Sequence, residues 1–359
     1  MTTNHMKEDN KMFSDDIIKM VSIIIPCYNC SSSLERCWES IKWQTLGLES
    51  IEVFFVDDAS DDDNATWDML QKIESEAPDS VSIIHLEQNM RQGGARNIAL
   101  SYITGKYFLF VDSDDTLSEN ACKTLCHKAE ETNADMVLFN CMYCDDKGNT
   151  IPRTVYKEEK TLDLTLDEIR RSALLGEGLT YGCVDKLYRT DFYKSVGSLF
   201  PEHMVYEEPL FVYPLFLYAE RVEILPDYFY NYFIHPNSTV TNTALHNRGD
   251  HPAVQFMLLS WLKKDVVGFS KFRDEIMFYI IWSAFIETLN FTKNDPKSDT
   301  AYQFYEYIRS ILVSEFPDHS NNRYVRKNSF NGILDYLDYP IDSSETLDKL
   351  NALVKKTFQ

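Results

Sequence analysis

Short continuous apolar runs alternate with stretches of helical periodicity over the first two thirds of this chain, and beyond about residue 250 only the helical period remains. The runs 21–26, 51–56, 81–86, 107–111, 136–142 and 228–234 are rich in β-branched and aromatic residues and predict strands. Between the first two, Leu34, Cys37, Trp38 and Ile41 share one helical face behind an N-cap offered by Ser31 to Ser33. Further helices are predicted over 66–76, over 95–103 after the Gly93-Gly94 break, over 118–132 and 166–175, and over 208–219; Asp191 caps a shorter one. Alternating strands and helices with short connections imply right-handed crossovers and a mostly parallel sheet flanked by helices, an α/β fold. The later helices fall at 254–262, 272–289, 300–316, 329–337 and 345–354. The expected organisation is a disordered polar tail over 1–19, an α/β domain over 20–245 and an all-helical C-terminal domain over 246–359.

The breaks between these elements carry the chemistry. The strand at 107–111 passes directly into Asp112-Ser113-Asp114-Asp115. A run apolar at every position suits a strand covered on both faces, so the carboxylates emerge where it leaves the sheet, the edge at which open α/β sheets bind ligands. Carboxylates crowded there raise one another's pKa, and a divalent cation relieves the repulsion. Oxygen donors favour a hard ion, Mg²⁺ or Mn²⁺, which keeps positions open for a phosphate. A solvated acidic loop or a helix cap explains the same residues without a ligand. Each strand ends in polar residues on what should be one rim. Pro26-Cys27-Tyr28-Asn29, Asp57-Asp58 and Asp112-Ser113-Asp114 are therefore expected to converge.

Composition narrows the function. The 359 residues carry a net charge of −21, with no basic stripe to neutralise a phosphate backbone, so nucleic acid is excluded as a partner. Residues 250–359 carry 13 Lys and Arg against 15 Asp and Glu, a nearly neutral surface beside a strongly acidic one. No signal peptide is evident, and the longest apolar run, 276–286, is about half of the roughly 20 residues a span requires. With 8 cysteines this reads as a cytoplasmic protein with reduced thiols. Cys27-x-x-Cys30 and Cys141-x-x-Cys144 invite a zinc reading, but each ends an apolar run and lacks a nearby histidine, which favours buried thiols.

Taken in order, Val21-Ser-Ile-Ile-Ile-Pro-x-Tyr-Asn, Val56-Asp-Asp-x-Ser-x-Asp, Ala95-Arg-Asn and Phe110-Val-Asp-Ser-Asp-Asp resemble the family 2 glycosyltransferases of the GT-A, Rossmann-like fold. The resemblance covers roughly residues 20 to 240, and four motifs in register are far more specific than any one. It implies a bacterial-type enzyme that moves a sugar from a nucleotide sugar, usually a UDP-sugar, with inversion at the anomeric carbon and with Mn²⁺ or Mg²⁺. By that resemblance Tyr28 faces the base, with Pro26 and Asn29 at the same strand end. Asp58 accepts the uracil imide N–H, and Asp57 contacts the ribose or caps its turn. Arg96 sits near the diphosphate or base, or else pairs with a rim aspartate. Gly94 lets backbone approach phosphate at a helix start. Asp112 and Asp114, the DXD-type pair around Ser113, are metal and ribose ligands, while Asp115 caps the next helix.

The acceptor side follows the same resemblance. Tyr206-Glu207-Glu208-Pro209 stands where the family has Glu-Asp at a helix start, and there the aspartate is the base that takes the acceptor proton. Glu208 replaces that aspartate here, and Glu207 remains the alternative. Lys186, in Asp185-Lys186-Leu187-Tyr188, resembles a segment lining the acceptor, and His235 resembles a late residue near the diphosphate. Acceptors of the family imply a glycan or lipid-linked glycan in surface or capsular polysaccharide assembly. Peripheral contact with the inner face of the plasma membrane is then expected through Lys263, Lys264, Lys271, Arg273, Arg323, Arg326 and Lys327. Self-association through the apolar tail helices is the tail's other expected duty. The rival reading is a non-catalytic module that binds a nucleotide sugar or is stabilised by zinc.

Overall fold

In the computed structural model, residues 19–145, 147–234, 248–293, 299–327 and 330–358 are described. Strand β1 (Val21–Cys27) leads to α1 (Ser31–Lys42), which buries Leu34, Cys37, Trp38 and Ile41 as its spacing requires. Its serines do not cap it. Thr66 Oγ1 accepts from the N–H groups of Cys30 at 2.9 Å and Ser31 at 3.1 Å instead. Then come β2 (Ile51–Asp57), α2 (Ala65–Glu76), β3 (Val81–His85), α3 (Arg91–Leu100), β4 (Tyr107–Phe110), β5 (Thr116–Leu117) and α4 (Ala121–Thr132). The second half adds β6 (Met136–Cys144), β7 (Thr150–Arg153), β8 (Lys160–Asp163), α5 (Asp167–Leu174), β9 (Lys186–Arg189), α6 (Thr190–Val196), α7 (Glu208–Tyr218) and β10 (Arg221–Phe233).

The sheet runs β3-β2-β1-β4-β9-β6-β10-β5, with β7 on β6 and β8 on β10. It is parallel from β3 to β4 and again between β6 and β10. The parallel expectation holds for those strands only. β9 lies antiparallel between β4 and β6, and β5, β7 and β8 also pair antiparallel, so the sheet is mixed. Cys27 pairs with Asp57 and Ile24 with Phe110, which brings the carboxyl ends of β1, β2 and β4 to one edge.

Successive residues of a strand point to opposite faces, and the core divides accordingly. Ile24, Phe54, Val56, Phe108 and Phe110 belong to one cluster; Ile23, Ile25, Val53, Phe55, Tyr107 and Leu109 belong to the other. The second cluster is closed by α1 and α4. The first continues through α7, buried from Leu210 to Leu217, into the C-terminal helices. These are α8 (Asp250–Leu262), α9 (Val266–Lys271), α10 (Arg273–Ile281), a π turn over Trp282–Glu287 into α11 (Thr288–Thr292), α12 (Tyr302–Glu315), α13 (Arg323–Lys327) and α14 (Ser344–Thr357). The extension is helical as expected, with short 3₁₀ turns at Phe330–Gly332 and Leu334–Leu337 in place of a regular helix. Among the described residues no helix is long and apolar enough to cross a membrane.

Candidate active site

Asp57 ends β2 and Asp58 follows it into the rim, and both are buried. Asp57 accepts from the Ser60 N–H at 3.1 Å and faces His85 Nδ1 at 2.7 Å. Asp58 accepts the Met90 N–H at 2.7 Å, while its carbonyl takes the Asn89 amide at 3.2 Å. Burial pushes the Asp58 carboxyl above its ordinary range, against the backbone hydrogen bonds that favour its charge. Pro26 is buried opposite Val56. Asn29 sits in left-handed backbone, φ 49°, and exchanges two hydrogen bonds with Asp61, at 2.5 and 2.8 Å. Beside it Tyr28 is 46% exposed, an open aromatic face at the strand end.

The centre of the rim is Arg96, buried on α3. Its guanidinium donates to Asp112 Oδ1 at 2.6 Å and to Glu207 Oε1 at 2.7 Å, joining the end of β4 to the start of α7. The rings of Phe110 and Phe200 flank it at 5.7 and 5.4 Å. Withdrawal from water pushes the Asp112 carboxyl up, Arg96 draws it back, and Asp114 adds to the rise. Ser113 and Asp114 are half-buried beside it. The Asp114 carbonyl accepts from Arg36, whose guanidinium lies 3.6 Å from the centre of the Phe233 ring. Asp115 does not cap α4. It is buried under the rim, accepting from the Tyr230 hydroxyl and the Phe233 N–H, both at 2.7 Å. Burial, then Asp112 and Asp114, push its carboxyl up to about 9.

The two glutamates part company. Glu207 is buried, held by Arg96 and by the Gln92 amide at 3.2 Å. Glu208 is half-buried, and its Oε1 accepts one backbone hydrogen bond, from Cys183 at 2.7 Å. Burial, then the charge on Glu207, push the Glu208 carboxyl up to about 7. Lys186 is fully buried and donates to Thr180 at 2.9 Å, to the Gly182 carbonyl at 2.6 Å and to Asp185. With all three donors engaged, it shapes the loop that presents the Cys183 N–H and offers no donor to a ligand. Gly94 lies inside the first turn of α3, where a Cβ would come 2.5 Å from Met90 Cβ, so close packing requires it there. His235 lies outside the described residues.

Among the described residues no group of three or more His, Cys, Asp or Glu side chains could cage a metal ion, and the eight cysteines are free and buried. Neither Cys-x-x-Cys pair therefore acquires a third protein ligand there. Asp112 and Asp114 suit a hard ion that takes one or two carboxylates and completes its shell with phosphate and water. A cavity of about 600 Å³ lies elsewhere, between α8 and α12, lined by Phe256, Met257, Trp261 and Tyr307 among others; no acid of the rim lines it.

Several residues of this arrangement escaped the sequence reading. Asn97 and Phe200 bind each other twice, at 2.8 and 3.0 Å, and hold the loop before α7 against α3. Asn97 could have been found as the last residue of Ala95-Arg96-Asn97. Phe200, Cys183 and Arg36 carry no signal along the chain.

Residues 22–196 match the family model described as glycosyl transferase family 2. That span includes the whole aspartate rim and stops short of α7. Over 88% of its length the chain is 24% identical to a poly(ribitol-phosphate) β-glucosyltransferase of Bacillus spizizenii, covering 50% of that protein. It is 29% identical to the poly(ribitol-phosphate) β-N-acetylglucosaminyltransferase TarS of Staphylococcus aureus over 59% of this chain and 35% of that one. The chain thus spans half the length, or less, of these curated relatives. The crystal structure of residues 1–349 of S. aureus TarS with UDP-GlcNAc superposes with a TM-score of 0.73, covering 94% of this chain and 91% of that one at 21% identity, which establishes the shared fold.

Proposed function

The chain belongs to glycosyl transferase family 2 through residues 22–196, and from that premise we propose that it transfers a sugar from a UDP-sugar to a hydroxyl of a bacterial surface glycan or lipid-linked glycan, with inversion. The observation that carries the reading is the placing of Glu208: it follows directly on Glu207, which Arg96 ties to Asp112, yet its own carboxylate stays outside that network, accepting from the Cys183 N–H, with its pKa pushed up to about 7 by burial and by the charge on Glu207. A general base works best with its pKa near the working pH. Glu208 is then the base that takes the acceptor proton. Glu207 is the counter-charge that holds Arg96 and keeps the Glu208 pKa high.

The donor's base stacks on Tyr28, and Asp58, next to Asp57 at the end of β2, accepts its imide N–H. Arg96, once a diphosphate arrives, can exchange a carboxylate partner for a phosphate oxygen. Asp112 and Asp114 would hold Mn²⁺ or Mg²⁺, which when bound supplies positive charge against the departing UDP. Relatives named for poly(ribitol-phosphate) suggest a wall polymer as acceptor, and a structural neighbour crystallised with UDP-GlcNAc suggests a UDP-hexosamine or UDP-hexose as donor. Free, buried thiols suit a reducing, cytoplasmic setting.

Calorimetric binding of UDP, GDP, CDP and dTDP with and without Mn²⁺ tests the donor side. Selective binding of UDP that depends on the metal, lost in Asp114→Ala, is the expected result. Binding of none of the four would leave the rim aspartates structural and end the proposal.

A further inference from the structure

Tyr206, the residue before the two glutamates, has φ +61°. Residues with a Cβ avoid this left-handed region, and a bulky one stays there only where its surroundings dictate it. Those surroundings belong to the helical extension. The Tyr206 ring stacks on Phe291 of α11, with centroids 6.0 Å apart and planes 14° from parallel. It meets His251 of α8 edge-on, at 5.2 Å and 90°, and His251 meets Phe291 in the same way at 5.1 Å.

The clamp is itself anchored. His251 is buried, its Nδ1 is 2.9 Å from Thr288 Oγ1, and its Nε2 is 3.7 Å from Glu287. Arg248 donates to the Phe291 carbonyl at 2.9 Å, and the Val205 N–H donates to Asp250 at 3.1 Å. On the far side of Tyr206 the chain passes at once to Glu207 on Arg96 and to Glu208 on the Cys183 N–H.

We propose that Tyr206 is a positioning residue: the Phe291–His251 clamp on its ring keeps its backbone left-handed and so sets the direction in which Glu207 and Glu208 leave the chain. The helical extension thereby acts on the catalytic carboxylates through Tyr206. The inference rests on the reading of Glu208 as the base. A carboxylate displaced by even about 1 Å from its working place can cost about a hundredfold in rate.

The test uses the full chain. Phe291 is 50% exposed, so Phe291→Ala removes half the clamp without opening a core cavity. It is expected to lower kcat by about tenfold or more, to move the acid limb of the kcat profile, and to leave the Kd for UDP within about threefold. Tyr206→Ala should behave alike or more severely. Tyr206→Gly, which enters the left-handed region without the penalty a Cβ imposes, should recover part of that loss, and Tyr206→Phe, which keeps the ring, nearly all of it. If Phe291→Ala and Tyr206→Ala turn over within about twofold of wild type while Glu208→Gln is inactive, the clamp proposal falls and the base assignment stands. Should Tyr206→Ala not fold, Phe291→Ala decides alone, with UDP binding as its check on folding. Full turnover by Glu208→Gln would instead remove the base assignment on which the clamp depends.

Discussion

Arg96 is the residue on which the rim balances. A buried guanidinium between two carboxylates is stabilising mainly because its loss leaves them uncompensated. Arg96→Met should therefore destabilise the fold by about 3 kcal/mol, read from urea unfolding, and Arg96→Lys, which lacks the fork, should restore only part of it. Glu208 ties stability to pH in the opposite sense from an ordinary paired carboxylate. Its pKa of about 7 in the folded chain lies above the usual glutamate value of about 4.3. Its contribution to stability is thus full below that usual value and is lost as pH rises through about 7. Catalysis needs the charged form, so kcat should fall on the acid side of about pH 7. Glu208→Gln should be inactive yet melt higher than wild type at alkaline pH. In Glu207→Gln the acid limb should move to lower pH, because the like charge that raises it is gone. Residue identity at the rim was legible in sequence because strand ends punctuated by acids are unusual. The division of labour between Glu207 and Glu208 was not, since it depends on which one Arg96 reaches.

At the scale of elements, α3 and α7 make the site by their closeness. Gly93 lies where a Cβ would come 2.7 Å from the Pro201 carbonyl, 3.0 Å from Phe200 Cβ and 3.2 Å from Glu207 Cγ. Gly93→Ala should cost about 1–3 kcal/mol through overpacking, and lower kcat as well, because the displaced atoms belong to the loop and carboxylate beside Arg96; unfolding and turnover on one preparation measure both. Sequence periodicity treated the Gly93-Gly94 pair as a break before the helix, whereas both glycines lie inside its first turn. For Gly94 the close neighbour is Met90, one turn back, but for Gly93 it is a loop more than a hundred residues away, invisible to any local pattern. β9 was missed as a strand for a related reason: Lys186–Arg189 is too short for a period, and becomes a strand by pairing with β4 and β6.

For the whole molecule, one apolar cluster runs from Ile24 in the sheet through α7 to Val354 near the C-terminus. Helix α7 is apolar on all sides because the sheet covers one side and the extension the other. The full chain should therefore unfold in a single calorimetric transition, and a chain ending at residue 245 should expose α7 and aggregate; two separate transitions would show the extension to be independent. Among the described residues, four of the seven cations expected to face a membrane have carboxylate partners, three of those partners within the extension and one, Asp167, on α5. Lys263 pairs with Glu315, Lys271 with Asp167, Arg273 with Asp318 and Arg323 with Glu275.

Apolar period, strand-end acids and the order of four motifs determined on their own that this is an α/β fold with a helical extension and a rim of aspartates. Those are local or strictly ordered signals, and a sheet edge collects them whatever the details of packing. Only the tertiary structure decided that Glu207 is bound to Arg96 while Glu208 keeps a raised pKa, that Lys186 is sealed inside a loop, and that Tyr206 is clamped by the extension. Each of these depends on a contact between segments distant in sequence, where burial and a single neighbouring charge or ring change what the same side chain does.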